Sequence, residues 1–178
     1  MEHGDFTTLA DNYGKYRPGY APAVLDAFQA LTKKTKTDHT PIQCADVGAG
    51  TGIWSRQLAN TGMNVTAVEP NDAMRNVGIN QTNDLKITWL KGNAENTGLP
   101  THSQDAVCMA SSFHWPNFDL AIQEFNRILK PGGLFLALWN TRFFESNPLL
   151  VKIEDYLHTL IPNMKHLSQD RSAFLVAA

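Results

Sequence analysis

Three alternating glycines, Gly48, Gly50 and Gly52, follow a short apolar run that ends in Asp46-Val47. Glycine lets a backbone turn tightly and lets a ligand approach the main chain where a Cβ would clash. A helix beginning just after such a loop directs its free N–H groups and positive end at it. Asp46-Val47-Gly48-Ala49-Gly50-Thr51-Gly52 is thus a candidate ligand cradle, although any tight strand-to-helix turn also uses glycine. A dinucleotide loop of the G-x-G-x-x-G kind would have a third glycine where this chain has Ile53. About twenty residues beyond the loop, Glu69 closes a second apolar run, where a carboxylate can accept hydrogen bonds from the vicinal hydroxyls of a ribose. Further on, Ser111-Ser112-Phe113-His114-Trp115 sets a histidine among aromatic rings. Aromatic faces attract cations, and imidazole can take a proton near neutrality; the plainer alternative is that His114 and Trp115 only shape a pocket. Tyr13, Tyr16, Arg17 and Tyr20 crowd the N-terminal segment, where Arg17 could pair with a carboxylate or simply face water.

Something must hold these residues together, and the hydrophobic pattern says what. A helix is expected from Ala21 to Leu31 with Val24, Leu25, Phe28 and Leu31 on its inner face, then a polar linker over 32–41. Strands are expected at Ile42–Val47, Val65–Val68, Lys86–Leu90, Asp105–Ala110 and Leu134–Trp139. Between them lie helices: Ile53–Thr61, stopped by Gly62; one capped by Asn71 or Asp72 and running to about Gly78; and residues 117–130, with Phe118, Ile122, Phe125, Ile128 and Leu129 inward and Pro131-Gly132-Gly133 as its stop. Asn147-Pro148 reads as a cap and first residue of a last helix, to about Leu160. Strands alternating with helices make an α/β fold, a doubly wound, mostly parallel sheet with helices on both faces. Such sheets bind ligands beyond the carboxyl ends of their strands, and each candidate residue after the first helix falls at such an end. We expect one domain over 1–178: an N-terminal lid and helix to residue 40, a core over 41–160, and a tail over 161–178 with a short strand at most at Ser172–Ala178.

Charge and composition narrow the function. Fifteen basic against seventeen acidic residues give a net charge of −2, without the basic excess that a nucleic-acid or anionic-membrane surface needs. The one basic cluster, Lys33-Lys34-Thr35-Lys36, reads as a solvated helix end. No apolar run approaches the ~20 residues that span a bilayer, and Met1–Asp5 lacks the features of a signal peptide. Cys44 and Cys108 lie in apolar segments and read as buried free thiols of a reducing, cytoplasmic compartment. No His/Cys cluster has metal-ligand spacing, so no metal is expected.

The order of motifs resembles the class I S-adenosylmethionine (SAM)-dependent methyltransferases over about residues 7–160. G-x-G-x-G after Asp46 is similar to their first motif, which cradles the methionine part of SAM while the acid orients it. Val68-Glu69-Pro70-Asn71-Asp72-Ala73-Met74 is similar to their second, which grips the ribose and, through residues such as Pro70 and Met74, packs on the adenine. Gly92-Asn93-Ala94-Glu95 resembles the adenine-edge segment, with Asn93 where many members have Asp. Lys130-Pro131-Gly132-Gly133 and Trp139-Asn140 are further signatures. The run Tyr13–Tyr20 and the Phe113-His114-Trp115 triplet resemble the small-molecule subgroup that includes the trans-aconitate methyltransferase-like proteins, whose N-terminal segment forms a lid over the cofactor. The resemblance implies a Rossmann-like fold that binds SAM through Tyr13, Arg17, Asp46, Gly48, Ala49, Gly50, Thr51, Gly52, Glu69, Pro70, Met74, Asn93, Ala94, Glu95, Ser111 and Trp115. It implies methyl transfer to a small-molecule acceptor at oxygen, a carboxylate or a hydroxyl, with His114 as base where one is needed. Members usually continue with further C-terminal strands that this sequence lacks. Two other readings stay open: a non-catalytic SAM-binding module, and a nucleotide-dependent oxidoreductase.

Overall fold

The computed structural model describes residues 7–36, 40–140 and 146–162. It forms two compact units, Met1–Trp139 and Asn140–Ala178, and each is described by itself. The first carries a 3-10 turn (Thr7–Leu9), α1 (Ala10–Tyr16), α2 (Pro22–Thr35), β1 (Gln43–Val47), α3 (Ile53–Ala59), β2 (Asn64–Val68), α4 (Asp72–Gln81), β3 (Ile87–Leu90), β4 (Gln104–Ala110), α5 (Phe118–Ile128) and β5 (Leu129–Leu138). In the second, α6 (Pro148–Leu160) starts as expected: the Asn147 side chain accepts from Leu149 N at 3.0 Å and Pro148 takes the first turn. The possible strand at Ser172–Ala178 lies outside the described residues.

The sheet is wholly parallel, in the order β3-β2-β1-β4-β5. Successive crossovers carry the chain outward to β3, and it then returns past β1 to β4, so the switch point lies between β1 and β4. One face buries Cys44, Val65, Ala106 and Cys108 against Phe28 of α2 and Trp54 and Leu58 of α3. On the other, α5 lays Phe125 against Phe135 at a 5.0 Å ring separation, and Phe113 stands edge-on to Phe135 at 4.8 Å. The two cysteines are free, buried and side by side, with their sulfurs 3.7 Å apart.

Three expectations are corrected. α2 runs on to Thr35 and buries Phe28 and Thr32, with Leu25 packed alongside, while Val24 and Leu31 are exposed. The inner stripe is therefore 25-28-32, and Thr32 can join it because its hydroxyl donates to Phe28 O at 3.1 Å. On α5 the buried residues are Ala121, Glu124, Phe125 and Ile128, and Phe118 is exposed. Pro131-Gly132-Gly133 does not stop the helix, which ends at Ile128; the triplet is a bulge inside β5, between the pairs Gln104–Leu129 and Ala106–Leu134.

Candidate active site

At the carboxyl end of β1, Asp46 is completely buried. Its Oδ2 accepts from Ser55 Oγ at 2.6 Å, and its Oδ1 has no hydrogen-bond partner among the described residues. Burial raises the carboxyl to about 7, the Ser55 hydrogen bond opposes the rise, and the nearby Glu69 adds to it. A buried acceptor left unsatisfied is costly, so this oxygen is suited to an incoming cation or donor.

The loop that follows keeps its own amides occupied. Gly48 N and Ala49 N both donate to Val68 O, at 2.8 and 3.1 Å, and Gly52 N donates to Ala49 O at 2.9 Å. Gly50 N donates to Glu69 Oε2 at 2.8 Å. The glycines therefore serve shape more than donation. Gly48 has φ +69°, and a Cβ there would stand 2.8 Å from Ser112 Cβ and Oγ. Gly50, at φ +58°, would point its Cβ at Met74 Cε, 3.4 Å away. Thr51 is buried with its Oγ1 unpartnered among the described residues.

Glu69, at the end of β2, turns inward and is 7% exposed. Its two oxygens accept from Gly50 N and Asn71 N, both at 2.8 Å. Burial raises its pKa, against the pull of those two N–H groups and of Arg75. The Asn71 side chain caps α4 by accepting from Ala73 N and Met74 N. Beyond β3, Pro70, Lys91, Gly92, Asn93, Asn96 and Gly98 line a cleft of about 370 Å³. Asn93 is fixed in a turn, its Oδ1 accepting from Asn96 N at 2.8 Å. Ala94 is buried. The Glu95 carboxylate accepts from Asn117 N, the cap of α5, at 2.8 Å and is not among the residues lining the cleft.

The N-terminal segment is tied to this region by residues that carried no signal in the sequence. Gln57 of α3 grips the backbone of Tyr20 at both ends, Tyr20 N donating to its Oε1 at 2.9 Å and its Nε2 donating to Tyr20 O at 2.8 Å. Tyr20 packs edge-on to Trp54 at 5.4 Å, and its hydroxyl donates to Ser111 Oγ at 2.9 Å. Ser111 has φ +57°, a strained conformation for a non-glycine residue, directly past β4. Its neighbour Ser112 donates to Val47 O at 3.1 Å, tying the β4 end to the glycine loop. Tyr13 has the Arg17 guanidinium 5.1 Å above its ring. Burial and the charge of Glu69 raise the Tyr13 pKa, and Arg17 opposes them. A single pass along the sequence gives no reason to connect Gln57 with Tyr20, because a glutamine on an amphipathic helix looks like solvated surface.

The sequence-derived candidates thus separate. Asp46, the glycine loop, Glu69 and Met74 converge at the ends of β1 and β2, with Tyr13 near the charge of Glu69, Tyr20 near that of Asp46, and Arg17 over the Tyr13 ring. Pro70 and Asn93 form the next cleft, Ser111 and His114 stand past β4, and half-exposed Trp115 packs against His114 with the rings tilted at 44°. The cluster fits an adenosyl ligand whose amino-acid tail presents an ammonium: a buried unsatisfied oxygen at Asp46, an inward carboxylate at Glu69, and an open cleft one strand further on.

Residues 45–137 match the family described as Methyltransferase domain. An uncharacterized methyltransferase of Mycobacterium bovis is 34% identical over 140 residues, 77% of this chain and 52% of that protein. A ubiquinone/menaquinone biosynthesis C-methyltransferase of Rhodopseudomonas palustris is 36% identical over 109 residues, 57% of this chain and 43% of its own. A crystal structure from Anabaena variabilis, described as a methyltransferase from an antibiotic biosynthesis pathway, superimposes with TM-score 0.57 and 29% identity over 71% of this chain and 51% of its own. The chain spans about half the length of the curated relatives it matches.

Proposed function

We propose, from the premise that the chain belongs to the methyltransferase-domain family of SAM-dependent enzymes, that it methylates a small-molecule acceptor at oxygen. The observation that carries this reading is the row formed by Asp46, Glu69 and the Asn93 cleft along β1, β2 and β3. Those strand ends are adjacent in the sheet and would receive in order an amino-acid tail, a ribose and, in the cleft, an adenine. When bound, SAM supplies an electrophilic methyl on a sulfonium. The chain's part is positioning and exclusion of water. Asp46 Oδ1 would hold the ammonium of the amino-acid tail, and Glu69, already fixed by two backbone N–H groups, would accept the ribose hydroxyls. Met74 would pack on the base, and the Tyr13–Tyr20 segment would cover the site, held there by Gln57. The N-terminal run resembling the trans-aconitate-like subgroup supports an acidic small molecule as acceptor. No described helix is long and apolar enough to cross a membrane, and the free thiols Cys44 and Cys108 suit the cytoplasm.

The test is calorimetric titration with S-adenosylhomocysteine. Saturable binding is expected, weakened about 10-fold or more by Glu69→Ala through loss of charge-assisted hydrogen bonds. Binding of NAD in its place, or affinity untouched by Glu69→Ala, would remove the reading.

A further inference from the structure

The ends of β1, β2 and β3 are taken by the residues assigned above to the cofactor. On that reading the acceptor enters beside β4 and β5, across the switch point. His114 lies four residues past β4, and Trp139 directly follows β5. Trp139 Nε1 donates to His114 Nδ1 at 3.3 Å. An indole N–H can only donate, so Nδ1 presents its lone pair, and the neutral imidazole carries its proton on Nε2. Turning the ring over would set a carbon against the indole N–H and lose the bond. Trp115, 4.6 Å away between ring centroids, packs beside the imidazole. Protonating Nδ1 would bring two N–H donors face to face. The lone pair through which a general base must act is thus the one that Trp139 occupies.

We propose that His114 is a tautomer-locked hydrogen-bond donor that selects the acceptor, and that the methylated atom arrives with no proton to lose, as the oxygen of a carboxylate does. The assignment rests on the contact between Trp139 Nε1 and His114 Nδ1. For such an acceptor the step balances without a base: an oxygen lone pair forms the O–CH3 bond, the C–S electron pair stays with sulfur, and no proton moves. A hydroxyl or amine acceptor would need a base that Trp139 denies to His114.

Long-range proton–nitrogen NMR on the full chain labelled with 15N-histidine tests the tautomer, with His114 assigned from the signal missing in His114→Gln. The expected spectrum has Nδ1 unprotonated and Nε2 protonated, and Trp139→Phe shifts it toward averaged tautomers while circular dichroism stays unchanged. A proton on Nδ1 in the wild type, or no response to Trp139→Phe, overturns the proposal. The acceptor class is tested with methyl-labelled SAM and a pool of carboxylic acids, phenols and amines of matched size. Label in a product cleaved by mild alkali, as a methyl ester is, supports it; alkali-stable label, or none while S-adenosylhomocysteine binds, overturns it. On the labelled acceptor, His114→Gln, which keeps an N–H at similar reach, is expected to exceed His114→Leu in kcat/KM by about 10-fold. Equal rates would remove the donor role. Absence of S-adenosylhomocysteine binding counts against the methyltransferase function, and the tautomer is still decided by the spectrum.

Discussion

The buried carboxyl of Asp46 should make cofactor affinity depend on pH. With its carboxyl raised from 3.8 to about 7, Asp46 in the ligand-free protein is largely neutral at pH 6 and largely ionised at pH 8. Only the carboxylate attracts an ammonium, so the apparent affinity scales with the ionised fraction, and S-adenosylhomocysteine should bind about 10-fold more weakly at pH 6 than at pH 8. Around pH 7 binding should release roughly half a proton, because the ligand's charge drives Asp46 to ionise. The sign for stability is opposite. A folded-state pKa above the unfolded one contributes stability at low pH that is lost as pH rises through the folded value. At pH 8 the buried ion therefore costs on the order of 4 kcal/mol against its unfolded form. Asp46→Asn can still accept from Ser55 and carries no charge, so it should raise the melting temperature of the ligand-free protein at pH 8. It should also weaken binding and abolish its pH dependence. Calorimetry at pH 6, 7 and 8 in two buffers of different ionisation enthalpy measures both affinity and proton release. A flat profile, or a pH dependence that survives Asp46→Asn, would refute the coupling of Asp46 to the ligand.

Glu124 should dominate the acid limb of stability: Arg127 and the Thr97 hydroxyl and N–H outweigh desolvation and hold its carboxyl at about 2 against an ordinary 4.5. Its contribution, on the order of 1–3 kcal/mol once solvent screening of the partly exposed Arg127 is allowed for, is complete above pH 4.5 and lost as pH falls toward 2, and Glu124→Gln should flatten urea unfolding between pH 3 and 6. Gly48→Ala sets a Cβ against Ser112 at positive φ, so it should cost about 1–3 kcal/mol in chemical denaturation and weaken S-adenosylhomocysteine binding. Gln57→Leu removes both holds on Tyr20, so tryptic cleavage after Lys15 and S-adenosylhomocysteine dissociation should both accelerate, with helix content unchanged by circular dichroism. Phe125→Ala empties the aromatic core between α5 and β5 and should destabilise by about 3–5 kcal/mol in urea.

Periodicity and punctuation carried most of the fold. The first three strands are short apolar runs followed within two residues by Gly or Pro, and Asn71 and Asn147 cap helices because their oxygens replace the missing carbonyls of a preceding turn. The errors fall where tertiary context overrides local pattern. Thr32 is polar by type yet buried, because its hydroxyl is satisfied within its own helix. Pro131-Gly132-Gly133 looks like a helix stop but is absorbed by β5 as a bulge, since Leu129 already pairs with Gln104. In the site, Asp46 and Glu69 were legible because a strand-end acid beside a glycine loop is a local signal. The use of the loop amides was not, because Val68 O and Glu69 reach them from another strand. Gln57 with Tyr20 and His114 with Trp139 join residues 37 and 25 positions apart and become visible only when the sheet brings them together.

A crystal structure of the protein with S-adenosylhomocysteine tests the central claim most directly. The account expects the amino-acid tail on Asp46 Oδ1, both ribose hydroxyls on Glu69, and the base in the cleft between Pro70 and Asn93. Ligand seated elsewhere, or a Glu69 carboxylate that keeps only its bonds to Gly50 and Asn71 and leaves the sugar untouched, would contradict it.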